Sequence, residues 1–210
     1  MQKLIKKYAI FGWLLFGLMP STQGMAGGLQ DPQQVIQSIS EQLHQKLQNK
    51  AFASDFYQVT RFVDGVIEPH ADFDVIASLV LGKHWKTASP ADRERFKNEF
   101  RTMLVRSYSR AFVEYNNWSL RFQPSESSDA RKIIVKSEVL QQGLKPVQVN
   151  YRMYLGKDGW KVYDIIIVGV SLVTNYRSSF SEDIQKKGSL AALINDLAKR
   201  NADALSGRGS

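Results

Sequence analysis

The chain has 210 residues, a formal net charge of +8 and a hydrophobic share of 43%, enough apolar material for one domain with a sizeable core. It contains no cysteine, which excludes a disulfide framework and a thiolate metal site and leaves the fold to hold by packing. The positive excess suits an anionic partner such as a lipid headgroup or an acidic protein patch, and a plain solvated surface accounts for it equally.

Lys3, Lys6 and Lys7 precede an apolar run from Tyr8 to Met19, and Pro20 with small or polar residues follows as far as Gly24-Met25-Ala26. That order predicts a secretory signal over residues 1–26, cleaved after Ala26 and too short to span a bilayer. An uncleaved anchor or a buried core helix is the alternative. Loss of the three lysines would leave about +5 on the rest, where no other stretch is long and apolar enough to cross a membrane. Residues 27–205 are expected to form a single domain, with a disordered tail over 206–210.

Asp31-Pro32 reads as an N-cap followed by a proline at the first helical position, and Val35, Ile36, Ile39, Leu43 and Leu47 mark one face of the helix behind it. A second helix from Ser54 carries Phe56, Val59, Phe62, Val63 and Val66 and stops at Pro69. A third, capped by Asp72, carries Phe73, Ile76, Ala77 and Val80 as far as Gly82. Ser89-Pro90-Ala91-Asp92 is an Asp variant of the capping box. It opens the longest helix, whose stripe of Phe96, Phe100, Met103, Leu104, Ser107, Tyr108, Ala111, Phe112 and Tyr115 reaches Asn116. Flexible and aromatic side chains of this kind fill a core, and they also line ligand cavities.

The period then changes to two. Trp118, Leu120 and Phe122 alternate with polar residues, Pro124 to Ala130 reads as a polar loop, and Ile133, Val135 and Val139 alternate next. Val147, Val149, Tyr151, Met153 and Leu155 form the cleanest strand, and Gly156-Lys157-Asp158-Gly159 turns it back into Trp160. From Val162 to Val168 nearly every residue is β-branched, as suits a strand covered on both faces. At Gly169 the spacing becomes helical through Val170, Val173, Tyr176, Arg177 and Phe180, so strand should pass into helix with no real loop. Gly188 ends that helix, and Ser189 caps a last one docked by Leu190, Leu193, Ile194 and Leu197. The fold class is α+β: a curved four-stranded antiparallel sheet, in meander order, covered on its apolar face by about six helices.

Signals of chemistry are few. His70, Asp72 and Asp74 are the one cluster of ligand-type residues, but Asp72 is better used as a helix cap. Asp164 lies inside an apolar strand, so its carboxylate must be paired, must cap a helix, or must point at a cavity as an acid. No nucleophile elbow, phosphate-cradling glycine loop or nucleic-acid motif occurs in the chain.

Two stretches carry a family resemblance. Phe73-Asp-Val-Ile-Ala-Ser-Leu-Val-Leu-Gly-Lys-His-Trp-Lys-Thr-Ala-Ser-Pro90, with the long Phe-rich helix behind it, resembles the helical part of the MlaC family of toluene-tolerance auxiliary proteins. Trp160-Lys-Val-Tyr-Asp-Ile-Ile-Ile-Val-Gly-Val-Ser-Leu-Val-Thr-Asn-Tyr-Arg-Ser-Ser-Phe180 resembles that family's other signature. The resemblance implies a periplasmic, non-enzymatic phospholipid carrier of Gram-negative bacteria that helps maintain outer-membrane lipid asymmetry. Its implied partners are an outer-membrane lipoprotein and porin complex and an inner-membrane ABC transporter with its lipid-binding substrate protein. It implies no cofactor beyond the bound phospholipid as cargo, and acyl chains held between helices and sheet.

On that basis the expected hydrophobic lipid pocket is lined by Val149, Tyr151, Met153, Ile165 and Ile167 of the sheet. Phe100, Leu104, Tyr108, Phe112, Val173 and Tyr176 of the helices complete it. Lys83, Lys86, Arg93 and Arg177 are candidates for docking to headgroups or partners, as well as ordinary solvated helix ends. Two other functions stay open at this point: a small-molecule enzyme using Asp164, and a lipid-free module whose basic surface binds an acidic partner.

Overall fold

A computed structural model describes residues 31–114 and 117–206; the expected signal segment and residues 207–210 of the tail lie outside it, as do Tyr115 and Asn116. Helix α1 (Pro32–Leu47) begins where Asp31 accepts a hydrogen bond from the Gln33 N–H at 2.8 Å. A single turn, α2 (Lys50–Ala53), leads to α3 (Phe56–Ile67), which is capped by Asp55 rather than by Ser54. Asp72 caps α4 (Phe73–Leu81) through the Val75 N–H at 2.9 Å. Beyond Gly82, at φ 52°, a five-residue helix α5 (Lys83–Thr87) fills what read as a connection.

Ser89 and Asp92 form the expected cap, the serine hydroxyl accepting from the Asp92 N–H and donating to its carboxylate, and α6 (Pro90–Glu114) follows. Helices α7 (Leu172–Lys187) and α8 (Leu190–Leu205) close the chain, parted by Gly188 at φ 83° and capped by Ser171 and Ser189.

The four long strands are as expected: β1 (Trp118–Phe122), β3 (Lys132–Gln141), β4 (Val147–Gly156) and β5 (Gly159–Ile167). Two short ones were not foreseen, β2 (Glu126–Asp129) against β3 and β6 (Val170–Ser171) against β5, giving the antiparallel order β1-β3-β4-β5-β6. Strand therefore does not run straight into helix at Gly169. Val168 and Gly169 form a tight reversal with both residues at positive φ, at 48° and 82°. Primed hairpin turns demand that geometry, which glycine adopts freely and a β-branched residue resists. Val168 is also 68% exposed.

A bulge in β5 sets which side chains face the helices. Arg152 pairs with Asp164 but Met153 pairs with Val162, so Tyr163 is the extra residue, and both Val162 and Ile165 reach the apolar face. Asp164 falls on the other face and is 4% exposed. Its carboxylate accepts from Arg152 Nη1 at 3.1 Å, from the Ser171 hydroxyl at 2.7 Å and from the Val173 N–H at 3.1 Å. The pairing and the capping anticipated as alternatives to an acid role occur together, and the first turn of α7 is thereby tied to the middle of the sheet.

Replacing Asp164 by alanine removes the acceptor of a buried N–H and of the hydroxyl that caps α7, and should cost about 2–4 kcal/mol. The Arg152 side chain is 42% exposed and Asp164 keeps its two other donors without it, so Arg152→Ala should cost less, about 1 kcal/mol. Urea unfolding of both variants checks this. Equal losses would mean that the ion pair, and not the cap, is what matters.

Candidate functional site

The expected wall comes from three directions. On β4 and β5, Val149 lies opposite Ile167 and Tyr151 opposite Ile165, so these four form two cross-strand pairs on the apolar face. Helix α6 offers Phe100, Leu104, Tyr108 and Phe112 at fourfold spacing, and α7 offers Val173 and Tyr176.

The structure does not bury these residues alike. Phe100, Val149, Met153 and Val173 are enclosed, whereas Leu104, Tyr108, Phe112, Tyr151, Ile165, Ile167 and Tyr176 are only half-buried. The division follows the packing. One cluster gathers α4, α6, α7 and α8 around Phe96, Phe100 and Phe180, with Leu104 and Tyr176 at its border. A second places Val35 and Ile36 of α1 on Val135, Met153 and Val162, with Tyr151 and Ile165 at its border. A third joins α1, α3 and α6, with Phe112 and Trp118 at its border. Tyr108, Val149 and Ile167 belong to none of the three.

The wall is thus a seam between clusters. Helices α1, α4 and α7 make the main contacts with the sheet, while α6 packs chiefly on α3, α4 and α8. Met153 sits apart from the seam, with no exposed surface, beneath α1. Two surface recesses, of about 480 and 450 Å³, lie elsewhere: the first beside His44, Trp118 and Gln141, the second beside Arg131, Tyr154 and Lys157.

Burial acts on the tyrosines of the seam. It pushes the phenols of Tyr108 and Tyr151 up to about 12, and the Ser137 hydroxyl opposes the shift at Tyr151. Tyr176 moves in the same direction by burial, against the charge of Arg106. Each phenol therefore stays neutral and suits an apolar neighbour.

The remaining sequence candidates have structural employment. Asp72 caps α4 and also accepts from the Tyr154 hydroxyl, and Asp74 pairs with Lys97 at 2.9 Å. Arg93 stacks on Trp85 and donates to its carbonyl at 2.9 Å, and Arg177 donates to the Leu79 carbonyl at 2.6 Å. Lys83 and Lys86 are exposed. The residue that sequence reasoning missed is Arg106, whose position on α6 resembles that of any solvated arginine until α8 packs against it.

The fold defines the class: an α+β domain in which helices pack with an antiparallel sheet. Residues 37–199 match the family described as MlaC protein, and the chain belongs to that family. It is 27% identical, over 176 residues, to the toluene tolerance protein ttg2D of Pseudomonas putida, covering 81% of this chain and 78% of that one. It is 27% identical over 124 residues to the intermembrane phospholipid transport system binding protein MlaC of Haemophilus influenzae, with 57% of this chain and 58% of that one covered. Among solved structures, a phospholipid-binding protein from Ralstonia solanacearum in complex with a phospholipid superposes with a TM-score of 0.76 at 28% identity. The match covers 83% of this chain and 98% of that one.

The raised phenols make stability depend on alkaline pH with a definite sign. Each group's folded value lies above its unfolded one, so its contribution is complete below about pH 10 and is lost as pH rises towards about 12. Absorbance titration at 295 nm should show Tyr108 and Tyr151 ionising near 12, together with Tyr154, which its hydrogen bond to Asp72 raises, and Tyr108→Phe and Tyr151→Phe should each remove their share of that phase. Ionisation of both near 10 would mean that the seam is fully wet.

Proposed function

We propose that this protein is a phospholipid carrier of the periplasm, moving lipid between an outer-membrane lipoprotein and porin complex and an inner-membrane ABC transporter with its lipid-binding substrate protein. The observation that carries the reading is the set of seven large apolar or aromatic side chains of α6, α7, β4 and β5 that stay half-buried at or beyond the borders of the packed clusters. Membership of the MlaC family supports it, as do relatives named for phospholipid transport and toluene tolerance and a structural neighbour holding a phospholipid.

The energetics fit. Burying acyl chain is worth roughly 0.8 kcal/mol per CH₂, so two chains amount to on the order of 20 kcal/mol that water cannot supply. Membrane and protein both supply it, which leaves exchange between them nearly balanced, with its direction set by differential contacts with partners. Such a carrier needs no cofactor and no catalytic group. Asp164, the residue on which an enzyme reading rested, has both carboxylate oxygens engaged by helix α7 and Arg152.

Organic extraction of protein purified from a Gram-negative host, followed by mass spectrometry, should return phospholipid at roughly one equivalent or more. Ile167→Arg, at the half-buried end of the seam, should lower the lipid content at least several-fold with the thermal midpoint little changed. Met153 is unsuited to the test, because a charge beneath α1 would unfold the domain. Lipid-free protein under non-delipidating purification, or an Ile167→Arg variant with wild-type content, would contradict the proposal.

A further inference from the structure

Four arginines among the described residues are half-buried: Arg93, Arg101, Arg106 and Arg152. Arg101 clasps Asp64 in a two-pronged pair at 2.7 and 2.8 Å, Arg152 meets Asp164, and Arg93 donates to two backbone carbonyls. Arg106 differs. Its Nε donates to Asn201 Oδ1 at 2.8 Å, and its terminal nitrogens reach no acceptor among the described residues.

The asparagine is itself fixed. Asn201 is 3% exposed, and its amide nitrogen donates to the Glu99 carbonyl at 2.9 Å and the Glu99 carboxylate at 2.7 Å, which aims its oxygen at the guanidinium. Arg106 is therefore held by a neutral acceptor, with its terminal nitrogens, the ones that could grip an oxyanion, unengaged among the described residues.

Like charge surrounds it. Arg110 lies one turn further on the same face of α6, its guanidinium over the Phe56 ring, and Arg200 precedes Asn201 on α8. Burial first, and then the charges of Arg110 and Arg200, hold Arg106 below the usual arginine range, with Tyr176 acting the other way. Arg200 is paired with Asp196 at 2.8 Å, so the neighbouring guanidiniums left without a carboxylate among the described residues are those of Arg106 and Arg110, which repel one another unless an anion enters. Arginine's planar fork matches phosphate. Arg106 is on the α8 side of α6, a different face from that of Tyr108, and meets the seam through Tyr176 of α7, with which it interacts electrostatically.

We infer that Arg106, oriented by Asn201 and flanked by Arg110 and Arg200, is a phosphate-binding site at the edge of the seam. It takes the phosphodiester of a lipid headgroup, or a free phosphate. The headgroup source rests on the carrier reading; the phosphate chemistry does not.

Delipidated protein offered phosphatidylglycerol or the diacylglycerol with the same chains, in competition with a fluorescent acyl probe, separates the cases. Wild type should prefer the phospholipid by about tenfold or more. Arg106→Met should abolish that preference without changing diacylglycerol affinity, and Arg106→Lys should restore only part of it. Equal wild-type affinity for the two lipids, or a preference that survives Arg106→Met, overturns the headgroup site and leaves the carrier reading standing.

If Arg106→Met does not fold, the exposed pair Arg110→Gln and Arg200→Gln should cut the preference several-fold, and an unchanged preference counts against the site. If wild type binds neither lipid, the carrier reading fails. Inorganic phosphate titrated into the delipidated protein then decides alone, read at the Arg106 ¹⁵Nε resonance: a saturable shift keeps the site as one for free phosphate, and no shift removes it.

Discussion

Where strand β5 gives way to helix α7, one carboxylate lies under both. Asp164 accepts from the first turn of the helix while it pairs across the strand with Arg152, and it does so at a depth where an unsatisfied charge is costly. Those bonds set the angle at which α7 leaves the sheet. That angle directs Tyr176 and Phe180 towards Phe100, where their rings meet at 5.2 and 5.6 Å. A different departure of α7 would change which side of the seam is open, so the wall depends on a polar contact lying outside it.

The rest of the molecule elaborates one conflict. Long helix α6 and the strand pair β4 and β5 each present an apolar face, yet α1 is what covers much of the sheet, and α6 leans on its fellow helices. A domain of this size could have filled the space between them with side chains, as its three clusters do elsewhere. It leaves instead a border where tyrosines and branched aliphatics remain half-covered, the phenols of Tyr108 and Tyr151 pushed up to about 12 by burial. Such a surface is poorly served by water and well served by hydrocarbon.

Much of this was legible in the residues. Asp31, Asp72, Ser89 and Ser189 announced their helices because a cap is a local bargain between a side chain and the next N–H groups. The β4–β5 hairpin was readable because alternation and turn chemistry are local too. Short elements escaped: α5, β2 and β6 are too brief to show a period, and a valine at positive φ concealed the reversal before β6. Periodicity placed Phe100 and Leu104 on one stripe, but only packing puts the first in the core and the second at its edge. Arg106 was invisible as a site because the residue that orients it lies 95 positions further along the chain.

On the proposed reading, hydrocarbon lies in the seam between the helices and the sheet. A phospholipid carrying a photoactivatable diazirine near the end of one acyl chain, loaded into the protein and irradiated, would test it most directly by peptide mapping of the adducts. Crosslinks are expected to concentrate on Leu104, Tyr108, Tyr151, Ile165, Ile167 and Tyr176. Adducts spread over the outer helix faces, or confined to the recess beside His44 and Trp118, would contradict it.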